Sequence, residues 1–162
     1  MSAPAIPLAE FDQEMAVTRR LLERVPSDQG AWKPHEKSFS LGHLAQLVAW
    51  MPGWIGQTLR RTELVLGEGP GYSLEKTETL LAALDDGAAA ARAALADVVG
   101  DDLDVTWSLK LGPQVVWSAP RGEVVRNHLR HLVHHRGQLT VYLRLLDVPI
   151  PSIYGPTADE KW

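Results

Sequence analysis

The sequence has no cysteine among its 162 residues. Disulfide bonds, thiolate metal ligands and cysteine nucleophiles are therefore excluded. An excess of positive charge is also absent, because 16 basic residues are outnumbered by 20 acidic ones and the formal net charge is −4. Nucleic-acid-binding proteins favour a basic surface, so we expect no nucleic-acid partner.

Long hydrophobic runs are missing as well. The longest apolar stretch, residues 41–55, contains His43, Gln46 and Pro52, and it is too short and too polar to cross a bilayer. The first 14 residues lack the basic region and apolar core of a signal peptide. We therefore expect a cytoplasmic protein without membrane association. Its length fits one domain, residues 1–162, around one hydrophobic core.

Apolar residues at three- and four-residue steps predict four long helices, which indicates an all-α four-helix bundle. The expected helices run from Leu8 to Pro26, from a cap at Ser38 or Ser40 to about Arg61, from a cap at Ser73 to about Val99, and from about Arg121 to Leu146. Residues 100–120 hold two short β-prone segments around Gly112-Pro113, which predict either a short β-hairpin or an irregular crossover before the last helix. Three later prolines predict an extended tail.

Histidines are concentrated in the last predicted helix, where four of the six lie within residues 128–135. His131 and His135 are four residues apart and share one helix face, and Gln138 and Tyr142 lie within about 40° of His131 on the same face. Two neutral imidazoles one turn apart form half of a transition-metal site, although the same spacing also serves hydrogen bonding and helix ends. The zinc-protease motif H-E-x-x-H is absent.

A fifth histidine, His43, lies far upstream on a helical stripe with Leu47, Trp50 and Trp54. Two interpretations stay open: His43 is a hydrogen-bonded core residue, or it becomes a third ligand if the second helix packs against the fourth. Three protein ligands would leave positions for water or substrate, as in catalytic metal sites. Trp50 and Trp54 are amphipathic rings that can line a pocket beside such a site.

The same helical projection predicts the surroundings of the fourth helix. Leu132, Leu139 and Leu143 should face the core, whereas Arg126, Arg136 and Arg144 should be solvated. Leu129 and Val133 are expected on the outward face, where they suggest a surface covered by a second copy. His134 lies at the margin of the histidine stripe.

Two motifs resemble a known family. The segment H-L-V-H-H-R-G-Q-L from His131 and the tail Tyr154-Gly-Pro-Thr-Ala-Asp-Glu160 are similar to those of the DinB family, the DinB/YfiT-like superfamily. The earlier stretches W-K-P-H-E-K-S from Trp32 and L-G-H-L-A-Q-L-V-A-W-M-P-G-W from Leu41 match it too, so the resemblance covers nearly the whole chain.

The resemblance implies a four-helix bundle with up-down-down-up topology, a homodimer, and a divalent metal (zinc, nickel or iron) held by His43, His131 and His135. It also implies a small-molecule substrate, because family members include thiol-dependent S-transferases that use a low-molecular-weight thiol. The expected second shell or pocket comprises His134, Gln138, Tyr142, Trp50 and Trp54, and no catalytic residue can be named.

Three functional hypotheses follow. The first is a divalent-metal-dependent enzyme with a histidine triad, either a thiol-dependent S-transferase or a related transferase or hydrolase. The second is a non-enzymatic metal-binding or stress-response protein of the DinB family. The third is an interaction module in which hydrogen bonds satisfy the histidines.

Overall fold

The computed structural model describes residues 6–67, 71–73, 75–98 and 100–161. Within these ranges the chain forms four long helices and a small sheet, in the order α1 (Leu8–Leu22), α2 (Leu41–Arg60), β1 (Glu63–Val65), α3 (Thr77–Asp97), β2 (Thr106–Leu111), β3 (Gln114–Pro120) and α4 (Arg121–Leu145). Short 3-10 helices span Ser27–Gln29 and Gly100–Leu103. The expected four helices are confirmed, and of the two alternatives for residues 100–120 the structure shows the β-hairpin.

Contacts between α1 and α3 show that these helices are antiparallel. Asp12 near the start of α1 pairs with Arg92 near the end of α3, and Arg19 near the end of α1 pairs with Asp85 earlier in α3. Both pairs are exposed, so they report the alignment of the helices and contribute little to stability.

Helices α2 and α3 run in the same direction and pack closely through small residues. A Cβ placed on Gly87 would lie 3.0 Å from the Gly53 nitrogen, and one placed on Gly56 would lie 3.2 Å from the Ala91 nitrogen. Gly53 approaches Gly87, and the later Gly56 approaches the later Ala91, so the two helices are parallel. The long connection between them, residues 61–76, is what a parallel pair requires.

Helix α2 is antiparallel to α4. Thr58 near the end of α2 bonds His128 early in α4, while Trp54, one turn earlier in α2, contacts His131. Together with the other pairs, this gives the up-down-down-up order that the family resemblance implied. The second helix therefore packs against the fourth, which is the condition that the sequence set for His43 to be a third ligand.

The sheet lies beside α2 and α4. Strand β2 forms an antiparallel hairpin with β3 and pairs in parallel with β1, for example Leu64 with Leu109. The hairpin turns at Gly112, whose φ is +55°, a conformation that glycine adopts without strain. Strand β1 was not predicted, because three residues are too few to show a period.

Helix starts follow the predicted chemistry in one case and depart from it in another. The hydroxyl of Ser40 accepts a bond from the His43 amide at 3.2 Å and caps α2. Ser73 does not cap α3; its amide donates to Gln46 Oε1 at 2.7 Å, and α3 begins at Thr77. The Thr77 amide donates instead to the hydroxyl of Ser27, the first residue of a 3-10 helix 50 positions upstream. The predicted end at Val99 lies outside the described residues.

Two predictions about the surface of α4 are wrong. Arg136 is buried against α1 rather than solvated, and Leu129 is buried in the core rather than outward-facing. Leu132, Leu139 and Leu143 are fully buried as expected. No helix within the described ranges combines the length and apolarity that a bilayer crossing requires.

Candidate metal centre

His131 and His135 meet on the side of α4 that faces α2. Their Nε2 atoms are 2.9 Å apart. Two imidazoles bound to one metal at about 2.0–2.1 Å place these atoms roughly 3.3 Å apart in a tetrahedral site. The spacing of four residues therefore places two ring nitrogens side by side, as the sequence predicted for this helix face.

Gln138 fixes the orientation of the His135 ring. Its Oε1 lies 2.7 Å from His135 Nδ1, and since this oxygen only accepts, Nδ1 carries the proton. The lone pair of His135 is consequently on Nε2, the atom that faces His131. A ring nitrogen held by a partner in this way is the usual arrangement behind a metal-ligating histidine.

The environment keeps the imidazoles neutral. Burial lowers the pKa of His131 and of His135, and the neighbouring His134 lowers both further. Burial also lowers the pKa of His43, with a second contribution from His135. A lowered pKa favours the neutral form of all three rings, which is the form that binds metal.

His43 lies next to this pair in a stack of aromatic rings. Its ring is sandwiched between Phe39, with centroids 4.2 Å apart, and Tyr72, with centroids 3.7 Å apart. Phe39 also contacts His135 at 6.3 Å between centroids, so one phenyl ring touches both histidines. Among the described residues, no group of three His, Asp or Glu side chains is arranged to hold a metal ion. The structure therefore brings His131 and His135 together and leaves His43 within the stack beside them.

The other side chains that the sequence singled out lie at different places around the histidines. Trp54 contacts both His131 and His128, and Trp50 stacks on Tyr72 at 5.3 Å. His134 is exposed, with its ring 5.0 Å from that of His135. Tyr142 bonds the Phe39 carbonyl at 3.2 Å and packs edge-on against Trp32, so it supports the chain around Phe39.

A cavity of about 400 Å³ opens beside His131, between α2, α4 and the sheet. Its walls include Trp54, Trp107, Trp117 and His128. Burial lowers the pKa of His128 to about 4, and its Nε2 lies 3.1 Å from the Thr58 hydroxyl. The sequence did not single out His128 or the cavity, because the cavity residues come from separated segments of the chain.

Leu129 and Val133 were the residues of the predicted dimer surface, and Leu129 cannot belong to it because its side chain is buried. Val141 and Leu145, one turn apart on α4, are instead 57% and 58% exposed. A homodimer stays a prediction.

A curated protein matches part of the chain in sequence. YrdA of Bacillus subtilis, an uncharacterized protein, is 44% identical over 43 residues, which is 26% of this chain and 25% of YrdA. The match thus spans about a quarter of that curated relative.

Two solved structures share the fold. A DinB-like protein of Bacillus subtilis, YjoA, superposes with a TM-score of 0.67 at 18% identity, covering 86% of this chain and 91% of YjoA. A DinB-like protein from Bacillus cereus gives a TM-score of 0.67 at 20% identity, covering 91% and 95%. The sequence model described as the DinB family matches residues 1–161. The chain therefore belongs to the DinB family.

Proposed function

We propose that this protein is a divalent-metal-dependent enzyme that acts on a small molecule held in the cavity beside His131. The metal ligands would be His43, His131 and His135. The observation that carries the proposal is the pair of Nε2 atoms 2.9 Å apart. His135 is buried, and His131 is exposed and lines the cavity directly, so the pair is open to a ligand from the cavity side.

The donor set fits a borderline transition metal. Imidazole nitrogens suit zinc, nickel and iron(II), whereas calcium and magnesium prefer oxygen ligands. His135 already has its lone pair on Nε2 because Gln138 holds its other nitrogen. His43 is proposed as the third ligand from the ligand positions of the family and from its place beside His135, with Phe39 in contact with both rings.

A bound metal would act as a Lewis acid that lowers the pKa of a coordinated thiol or water toward neutrality. The chain has no cysteine, so the sulfur of a thiol-transfer reaction would come from an external low-molecular-weight thiol. The residues of the protein would orient and shield: Gln138 fixes His135, and the rings of Trp54 and Tyr72 keep water away from one side of His131 and His43. We propose a thiol-dependent S-transferase, or a related transferase or hydrolase.

Metal analysis tests the site. Protein purified without a histidine tag would be stripped with a chelator and titrated with Zn²⁺ or Ni²⁺ by calorimetry. We expect one metal per chain, binding abolished in His131→Ala and His135→Ala, and affinity reduced about 10–100-fold in Gln138→Ala. His134→Ala is the matched control, because this neighbouring histidine is exposed, and it should bind as the unmodified protein does.

Equal binding by all four variants would mean that the metal sits elsewhere, and a protein that binds no metal would overturn the proposal. His43→Ala tests the third ligand separately: unchanged affinity in this variant would return His43 to the role of a core residue. Turnover is a distinct question. The metal-loaded protein would be assayed with glutathione and 1-chloro-2,4-dinitrobenzene, and with other thiol and electrophile pairs. A loaded site without turnover on any pair would favour the metal-binding or stress-response alternative.

A further inference from the structure

The cavity beside His131 has its own chemical character, separate from the histidine pair. Most of its lining is apolar, from Leu64, Leu66 and Leu109 together with the rings of three tryptophans. Its volume of about 400 Å³ lies in the range of small-molecule sites. Helices α2 and α4 form one side and the sheet the other, so an occupant would lie between rigid walls.

Two of the walls are indole rings set at an angle. Trp107 and Trp117 lie with centroids 6.3 Å apart and planes at 63°, and Trp54 lies on the α2 side. Tryptophan faces offer large apolar area at low entropic cost, so they favour a ring or a short alkyl chain as occupant. Trp117 is still 37% exposed, which leaves it area to bury on binding.

The charge at the rim is positive. Glu63 pairs with Lys110, their Oε2 and Nζ atoms 2.5 Å apart, so these two charges offset each other. Arg61 also lines the cavity, where it is exposed and brings a permanent positive charge to the rim. A guanidinium at the edge of an apolar cavity selects an anion, and its fork geometry matches a carboxylate.

We infer that this cavity binds a small organic carboxylate with an apolar, ring-sized body. The body packs against Trp54, Trp107 and Trp117, and the carboxylate pairs with Arg61. As the substrate class of the enzyme, this inference rests on the proposed function. As a binding property it depends only on the residues of the cavity and is tested on metal-free protein, so its failure and the failure of the metal site are distinguishable.

The probes are 4-phenylbutyrate and the neutral 4-phenylbutan-1-ol, which share one body and differ in the anionic group. Chelator-treated, ¹⁵N-labelled protein would be titrated with each while the tryptophan indole N–H resonances are followed. We expect the resonances of Trp54, Trp107 and Trp117 to shift and that of Trp32, which lies outside the cavity, to stay in place. Trp107→Phe assigns the resonance of Trp107.

Arg61→Gln separates the two parts of the ligand. We expect it to weaken 4-phenylbutyrate about fivefold and to leave the alcohol unchanged, since an exposed ion pair is worth that much. Arg60→Gln, the neighbouring exposed arginine, is the matched control and should change neither. The inference is overturned if neither probe shifts the cavity resonances, if Trp32 shifts equally, or if Arg61→Gln and Arg60→Gln behave alike.

Discussion

The buried ion pair between α1 and α4 allows a quantitative test of the fold. Arg136 Nη2 lies 2.6 Å from Glu14 Oε2, and the two side chains are 1% and 11% exposed. The same guanidinium donates to the Thr18 hydroxyl at 3.0 Å and to the Tyr154 hydroxyl at 2.6 Å. Of these partners only the Glu14 carboxylate carries a charge, and one substitution neutralises it.

Glu14→Gln keeps the shape of the side chain and removes its charge. The Arg136 cation is then buried without a counter-charge, which typically costs about 3–5 kcal/mol. The amide oxygen still accepts a hydrogen bond, so we expect a loss near about 3 kcal/mol. For a chain of this length, that loss corresponds to a fall in Tm of roughly 6–12 °C.

Urea unfolding of metal-free protein, followed by circular dichroism, measures this loss. Asp12→Asn on the same helix is the matched control: Asp12 pairs with Arg92, but these side chains are 45% and 52% exposed, so its loss should stay below about 1 kcal/mol. Glu14→Gln combined with Arg136→Met should lose less than the sum of the single variants, since no buried charge remains. Equal losses for Glu14→Gln and Asp12→Asn would refute the burial argument.

Two further predictions concern pH and helix packing. Burial lowers the pKa of His128 from 6.5 to about 4, so on acidification the unfolded chain takes up the proton before the folded protein does. The stability that neutral His128 contributes is therefore complete above about pH 6.5 and is lost as the pH falls toward 4. Between pH 7.5 and 4.5 the unmodified protein should lose about 2–3 kcal/mol more than His128→Gln in urea unfolding, and parallel pH profiles would contradict this. Gly87→Ala should destabilise by about 1–3 kcal/mol, because its Cβ would meet the Gly53 backbone at 3.0 Å, whereas Gly137→Ala, which meets nothing within 4 Å, should stabilise by up to about 1 kcal/mol. The same sign for both glycine variants would disprove the close approach.

The helices were predictable because each depends on local information. The apolar period and the Ser40 cap lie within the segment that they describe, and α2 begins directly after this residue. The start of α3 is different: the hydroxyl that receives the Thr77 amide belongs to Ser27, and no pattern near Thr77 indicates it. Prediction therefore failed where the partner of a backbone group is distant in sequence.

Arg136 illustrates the same limit for side chains. A helical projection gives the direction of this residue on α4 correctly, away from the histidines. It does not show what occupies that direction, and here Glu14 of α1 and Tyr154 of the tail surround it. Neighbouring elements cover two opposite faces of α4. A residue that faces away from the histidines is therefore not necessarily exposed to solvent.

The candidate site depends both on local helix geometry and on packing between helices that are distant in sequence. The approach of His131 to His135 follows from helix geometry alone, and Gln138 lies one turn after His135 on the same helix. The position of His43 depends on the antiparallel packing of α2 on α4, on which the sequence left two interpretations open.

The packing of α4 fixes the direction in which the histidine pair faces. Consecutive residues of this helix are anchored on different sides: the His135 ring is fixed by Gln138 and touches Phe39, while Arg136 is fixed by Glu14 and Tyr154. Because His131 and His135 lie on one helix, a rotation of α4 would move both rings together, away from α2 and His43, and it would also pull Arg136 from its only buried carboxylate among the described residues. The ion pair on the far side of α4 thus opposes the helix rotations that would separate the histidine pair from His43, and it does so without touching the site.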